Sequence, residues 1–568
     1  MLNPSTEKSL TSFISIGASL VTIFVWTPSG TDPVNVTKLW VAGGIAGAAI
    51  AISIGFGRKI LLSNSKLLMA LSLLMILAMS NSVANSRAPF AQTFYGVYGR
   101  NTGFLTYLIL ISLMISASVI RSTQNVKSIL NGILFAGTAN LFYCAWVLLF
   151  GDFIPWNNQY KSILGTLGNP DFISAFLGFY IVVVISLLPS KQHELKIKVL
   201  LALFSVGALF EIFKSHAIQG LVVTAGGIVI VGFFYIRSKF QGNLVSFLYI
   251  GASSALGLLA VLGTLQKGPL SFVYKKSVSL RGSYWHAGVE MGKSHPISGV
   301  GMDTYGDWYR ATRPPVAFID TPPVSVVSNV SHNVVIDFFA FGGWPLLLSY
   351  LAILILGGFS LVKVLLRTKA YDATFVGIAG LWICFEVQSF ISINQIGLAI
   401  WGWIATGALI AYEKFTSKPT TEEVPKLSKT SRNLKKNSSS VISANLVGGI
   451  GLVVGLLVAF PPMSADMKWR AAQDSRNLNN LEASLVPSYM NPSSSTRYAQ
   501  AVQILRNSNL NDLALKYAHK AVTFNRDSTD AWQQLYLIPT ATEADRNLAL
   551  SNLKRLDPNN PDLLGTDK

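Results

Sequence analysis

SHNVVIDFFAFGGWPLLLSYLAILILGGFSLVKVLLR occupies residues 331–367. It opens on three polar residues, runs apolar over 334–360 apart from Asp337, and ends with Lys363 and Arg367. A bilayer core about 30 Å thick needs about 20 apolar residues in a helix, so 334–360 reads as a membrane span. Lys and Arg collect on the cytoplasmic side of spans, so this one runs inward from a polar, outward-facing start. Acids inside a membrane are costly, which singles out Asp337 near the start of this span and Glu386 in the next.

Twelve more runs repeat the pattern, at 9–27, 37–56, 64–80, 103–120, 128–150, 171–189, 199–214, 218–236, 244–263, 371–391, 394–412 and 441–460. The first lacks a small-x-small site before the Pro-containing loop at 28–36, so it reads as a span and not as a leader. The expected fold is all-α, a polytopic membrane protein with about thirteen transmembrane helices and a C-terminal soluble helical-repeat tail. Composition agrees: the 568 residues are 51% hydrophobic and 13% charged, about half the charge of an ordinary soluble protein. That excludes a typical cytosolic enzyme, and such hydrophobicity excludes disorder. Cys144 and Cys384 both lie in apolar runs, which leaves no disulfide framework and no cysteine metal site.

With the N-terminus inside, the inner segments hold 21 Lys/Arg, whereas the short outer loops hold five: Lys38, Arg87, Arg100, Lys161 and Lys214. The net charge of +18 therefore orients a membrane domain and does not mark a nucleic-acid binder. This puts the C-terminus outside. The expected organisation is a membrane domain at 1–412 with a large extracytoplasmic loop at 264–333. A basic, Ser-rich cytoplasmic linker at 413–440 follows (KLSKTSRNLKKNSSS at 426–440), then a last span at 441–460 and an outer tail at 461–568. In the tail, NDLALKYAHKAVTFNRDSTDAW (511–532) has helical apolar spacing, and Phe524, Asp530 and Trp532 align with Leu556, Asp562 and Leu564. That spacing of 32 is near the tetratricopeptide period of about 34.

Polar residues cluster on the outer face. The loop holds RGSYWHAGVEMGKSHPISGVGMDTYG (281–306), and SHN follows at 331–333. Arg281, Trp285, Pro296, Gly299, Gly301, His332, Asn333, Gly342 and Gly343 together resemble the O-antigen ligase and polymerase family of bacterial membrane glycosyltransferases. YGVYGRNTGFL (95–105) and GTLGNPDFISAFL (165–177) resemble two further stretches of that family, and Leu346 stands where a further glycine is usual. The resemblance covers about residues 1–460. It implies inverting, metal-independent transfer of a glycan from a polyprenyl diphosphate to an acceptor hydroxyl on a lipid, glycan or protein. The site is the outer face of the bacterial cytoplasmic membrane, and no cofactor is implied. It also implies His332 as base and the outward-facing arginines, Arg281 with Arg100, as diphosphate ligands.

The residues suit those roles by their own chemistry. Imidazole titrates near pH 6.5 and accepts a proton at neutral pH. Guanidinium stays charged and grips phosphate oxygens in a fork. Tyr284 and Trp285 offer faces to sugar or prenyl groups. Asn333 either orients substrate or caps the helix. Arg310 and Arg313 (WYRATRPP) either join the phosphate site or solvate the loop. His286, His295, His332 and Asp303 match no standard metal spacing, so no metal site is expected. A transporter is the rival reading, since many spans and the buried Glu386 would serve one. No internal duplication supports it.

Overall fold

The structure is a computed structural model and describes residues 2–156, 158–240, 242–320, 327–417 and 443–564. Among the described residues each of the thirteen apolar runs holds a helix, and no β-strand occurs. Among the described residues, eight helices are long and apolar enough to cross a membrane; a ninth candidate is the pair Ala444–Ala459 and Pro461–Ser475, bent by 46°. Phe104–Ala117 and Ala373–Ser389 are shorter apolar helices. The protein is an all-α, polytopic membrane protein.

Ile396–Thr416 sits at the centre, with its whole apolar window buried. Phe104–Ala117, Ala373–Ser389 and Val334–Arg367 pack around it. Leu244–Thr264 lies at the edge and is almost entirely exposed, as expected of a helix whose partner is lipid. Asn35–Asn64 crosses Ala444–Ala459 backbone to backbone. A Cβ on Gly47 would lie 2.2 Å from the Gly451 carbonyl oxygen, and small residues permit such close crossings in lipid.

Lys38 departs from its expected place in an outer loop. It stands in the first turns of Asn35–Asn64, fully buried, and its Nζ donates to the carbonyls of Val21 (2.9 Å), Thr22 (2.7 Å) and Phe24 (3.3 Å). These are carbonyls at the end of Pro4–Ile23, which lack intrahelical partners. Lys38 thus caps a neighbouring helix, and its charge does not mark a loop.

The helix from 334 to 367 is broken at its own glycines: Gly342 and Gly343 leave helical geometry, and Gly343 has φ +61°. The loop motif threads this break. Val300 N–H donates to Ala340 O (2.9 Å), Gly301 N–H to Phe341 O (3.2 Å), and Trp344 N–H to Pro296 O (2.8 Å). Pro296, Gly299, Gly301, Gly342 and Gly343 therefore form one device, in which loop backbone supplies hydrogen bonds that the broken helix lacks.

The tail is helical, with Ser495–Asn507 packed on Asn511–Phe524 and Thr529–Tyr536 on Glu543–Leu556 around a core that includes Trp469 and Trp532. Residues 418–440 of the basic linker lie outside the described residues.

Candidate functional site

The turn at 331–333 is built from within. Asp337, buried one helical turn below, accepts from both the backbone N–H and the hydroxyl of Ser331 (2.7 Å each). Asn333 caps the helix, its Oδ1 accepting from Val335 N–H (3.0 Å) and Ile336 N–H (3.2 Å). Between these two anchors His332 adopts φ +57°, a strained conformation for a residue with a Cβ. Its imidazole stacks on Tyr284, with centroids 5.7 Å apart and planes 28° apart. Neither ring nitrogen has a hydrogen-bond partner among the described residues.

Arg100 reaches the site from a loop wound around Asp303. The Asp303 side chain is buried, and its Oδ2 accepts from Val97 N–H (2.8 Å) and Thr102 N–H (3.2 Å). Burial pushes the Asp303 carboxyl up, and the Arg100 guanidinium pulls it back. Arg100 Nη1 is buried with no hydrogen-bond partner. Burial disfavours its charge, opposed by the carboxylates of Asp303 and Asp337. Arg281 stands on Lys276–Ser294, half-buried, with Asp171 as counter-charge and its Nε unpartnered. Asp171 belongs to the 165–177 stretch, so the three motif segments meet here.

Burial pulls the His332 imidazole down to about 3, and the positive charges of Arg100 and Arg281 push in the same direction. The ring is therefore neutral at physiological pH and keeps a free lone pair. A cavity of about 910 Å³ opens at this point, the size of a substantial ligand site. Its wall includes Asp32, Arg100, Trp156, Tyr160, His332 and Gln395, and Arg470 from the tail.

The other sequence candidates are placed differently. Trp285 is exposed and does not line the cavity. Arg313 donates from Nη2 to both carboxylate oxygens of Asp557 in the tail (2.8 and 2.6 Å), and Arg310 lies 3.6 Å from the same carboxylate. Their charge is committed to the tail and not to the cavity. Asn333 is a helix cap. His295 packs edge-on against Trp308 (4.9 Å), and no group of three or more metal-ligating side chains occurs among the described residues. Asp303 holds the Arg100 loop instead. Sequence reasoning missed Gln395, Asp32 and Arg470; the only signal for Gln395 was a pair of polar residues, Asn394 and Gln395, opening an apolar run.

These features define a polytopic membrane protein with a cationic, imidazole-bearing cavity at one end of its helices. Residues 200–351 match the family model described as O-Antigen ligase, the family that the motifs resemble. The match holds Arg281, His332 and the two glycine motifs, and it supports glycosyl transfer in polysaccharide assembly. No curated protein matches the chain.

Proposed function

We propose that the protein transfers a glycan from a polyprenyl diphosphate to an acceptor hydroxyl at the outer face of the cytoplasmic membrane. One observation carries this reading: an unpartnered, neutral imidazole shares a cavity with the Arg100 guanidinium and lies in the field of Arg281. His332 takes the proton of the acceptor hydroxyl. The acceptor oxygen bonds to the anomeric carbon as its bond to the diphosphate oxygen breaks, and the electron pair leaves on the diphosphate. Attack opposite the leaving group inverts that carbon. Arg100 and Arg281 neutralise the departing charge, so positioning and electrostatics supply most of the rate.

The resting imidazole is a weak base because it is buried and also lies in the field of two cations. A bound diphosphate offsets those cations, so the donor itself makes His332 more basic. The placement of charge along the helices supports the outer face. Asn35 and His332 line the cavity, whereas Arg58, Lys59, Lys363 and Arg367 lie toward the other ends of the helices concerned.

His332→Ala is expected to lower transfer by about 10²–10⁴-fold, the contribution of a positioned base, while membrane insertion and expression stay intact. Turnover of a lipid-diphosphate donor by purified protein measures it. Undiminished transfer would remove His332 from the mechanism.

A further inference from the structure

We propose that the Gln395–Asp32 side of the cavity is a subsite for the sugar ring bonded to the donor diphosphate; this rests on the glycan-transfer reading above. Gln395 is 3% exposed and lines the cavity. Its Oε1 is fixed by accepting from Leu398 N–H (3.2 Å) at the start of Ile396–Thr416. Its Nε2 is buried with no hydrogen-bond partner. Asp32, in the loop 28–34, has the same arrangement. Its Oδ1 accepts from Val34 N–H (3.0 Å) and Asn35 N–H (2.9 Å), and its Oδ2 is buried and unpartnered.

Each side chain thus has one oxygen locked into a backbone cap and one free polar atom. Neither can turn away to water without losing its cap. Unpaired buried polar groups are costly, so the two await a ligand with groups that both donate and accept. Sugar hydroxyls do both: one accepts from the Gln395 amide and another donates to the Asp32 carboxyl. A prenyl chain would leave both atoms unpaired.

Aromatic side chains line the same cavity. Trp156 is held by its Nε1–H bond to Asp152 Oδ2 (2.6 Å), and Tyr160 by the Asn169 amide (3.1 Å). Their faces suit the C–H face of a pyranose. The subsite is also tied to the phosphate side, because Asn35 Nδ2 donates to Gly99 O (2.7 Å), next to Arg100.

Gln395→Glu and Asp32→Asn keep the capping oxygens and change the free atoms. In membrane-reconstituted full-length protein, each should raise KM for a glycan-bearing polyprenyl diphosphate about tenfold, as expected for a lost buried hydrogen bond. Competitive inhibition by the sugar-free polyprenyl diphosphate should stay within about twofold of wild type. An unchanged KM, or equal weakening for both lipids, overturns the subsite. His332→Ala, run in parallel, separates the two readings. If it transfers like wild type, the glycan-transfer reading falls. If it alone is inactive while both subsite variants match wild type, only the subsite falls.

Discussion

His332 holds a backbone conformation that costs about 1–3 kcal/mol when unsupported. Asp337 and Asn333 meet that cost by fixing the turn on both sides. Burial of the imidazole, together with the field of the two cations, makes a pH prediction. With the free-enzyme imidazole at about 3, kcat/KM should have no acid limb from His332 near pH 6.5. A bound diphosphate weakens the positive field, so the limb in kcat should lie at higher pH than the limb in kcat/KM. Arg281→Gln removes one cation and stabilises the imidazolium, which moves the free-enzyme limb upward. pH–rate profiles of wild type and Arg281→Gln test both statements, and a limb that does not move would uncouple Arg281 from His332. Arg281 and Arg100 were legible in the sequence because each lies in a segment rich in glycine and aromatic residues, and His332 because the His-Asn opening and the upstream motif resemble the O-antigen ligase family. Asp303 and Gln395 were not, since a carboxyl in a long loop or an amide before an apolar run follows no spacing rule. Lys38 misled because sequence counts a charge without showing where its long side chain ends.

The helices on the apolar runs were legible, because apolar length is the strongest signal a membrane imposes, although among the described residues eight, or nine with the bent pair, are long and apolar enough to cross one. The break in the helix from 334 to 367 was not. Glycine and proline are tolerated in membrane helices when neighbours satisfy the freed backbone, and here the neighbour is a loop some 40 residues earlier. The resemblance motifs gave the glycines but not their purpose. That purpose is testable at the level of the element. A Cβ on Gly299 would lie 2.2 Å from the Phe341 carbonyl carbon, at φ +62°, and one on Gly343 would lie 2.3 Å from Pro296 O, at φ +61°. Both contacts are with backbone, which cannot swing aside. Gly299→Ala and Gly343→Ala should each destabilise by more than about 1 kcal/mol and lower transfer, because the break sits two turns below His332. Gly449→Ala, which meets nothing within 4 Å, is the control and should leave thermal stability in detergent unchanged or slightly raised. Equal stability of all three variants would deny the threaded break any structural weight.

For the whole molecule, the tail emerges as part of the cavity. Its first helix, Pro461–Ser475, is anchored by Asp466, which accepts from Thr31 N–H (2.7 Å), Asp32 N–H (3.0 Å) and the Tyr98 hydroxyl. Four residues on, Arg470 lines the cavity. At the far end of the tail, buried Asp557 pairs with Arg313 and Arg310 of the loop. A helical tail and two loop arginines of open purpose were legible in the sequence; the pairing joins residues 244 positions apart, which no local pattern reports. Removing one partner of a buried pair strands the other charge and costs about 3–5 kcal/mol. Asp557→Ala should therefore loosen the tail from the loop, seen as faster hydrogen exchange over 305–313 and 543–556. Transfer should fall with it, because the cavity wall shifts once one of its two tail anchors is gone. Replacing Arg310 and Arg313 together with Asp557 by apolar residues of similar volume should restore both exchange protection and transfer, since no charge is then left unpaired. Deleting 464–568 removes Asp466 and Arg470 as well, and should lower the rate for every acceptor instead of only changing acceptor choice. Full transfer by the truncated chain would reduce the tail to an appendage and leave the cavity to the membrane helices alone.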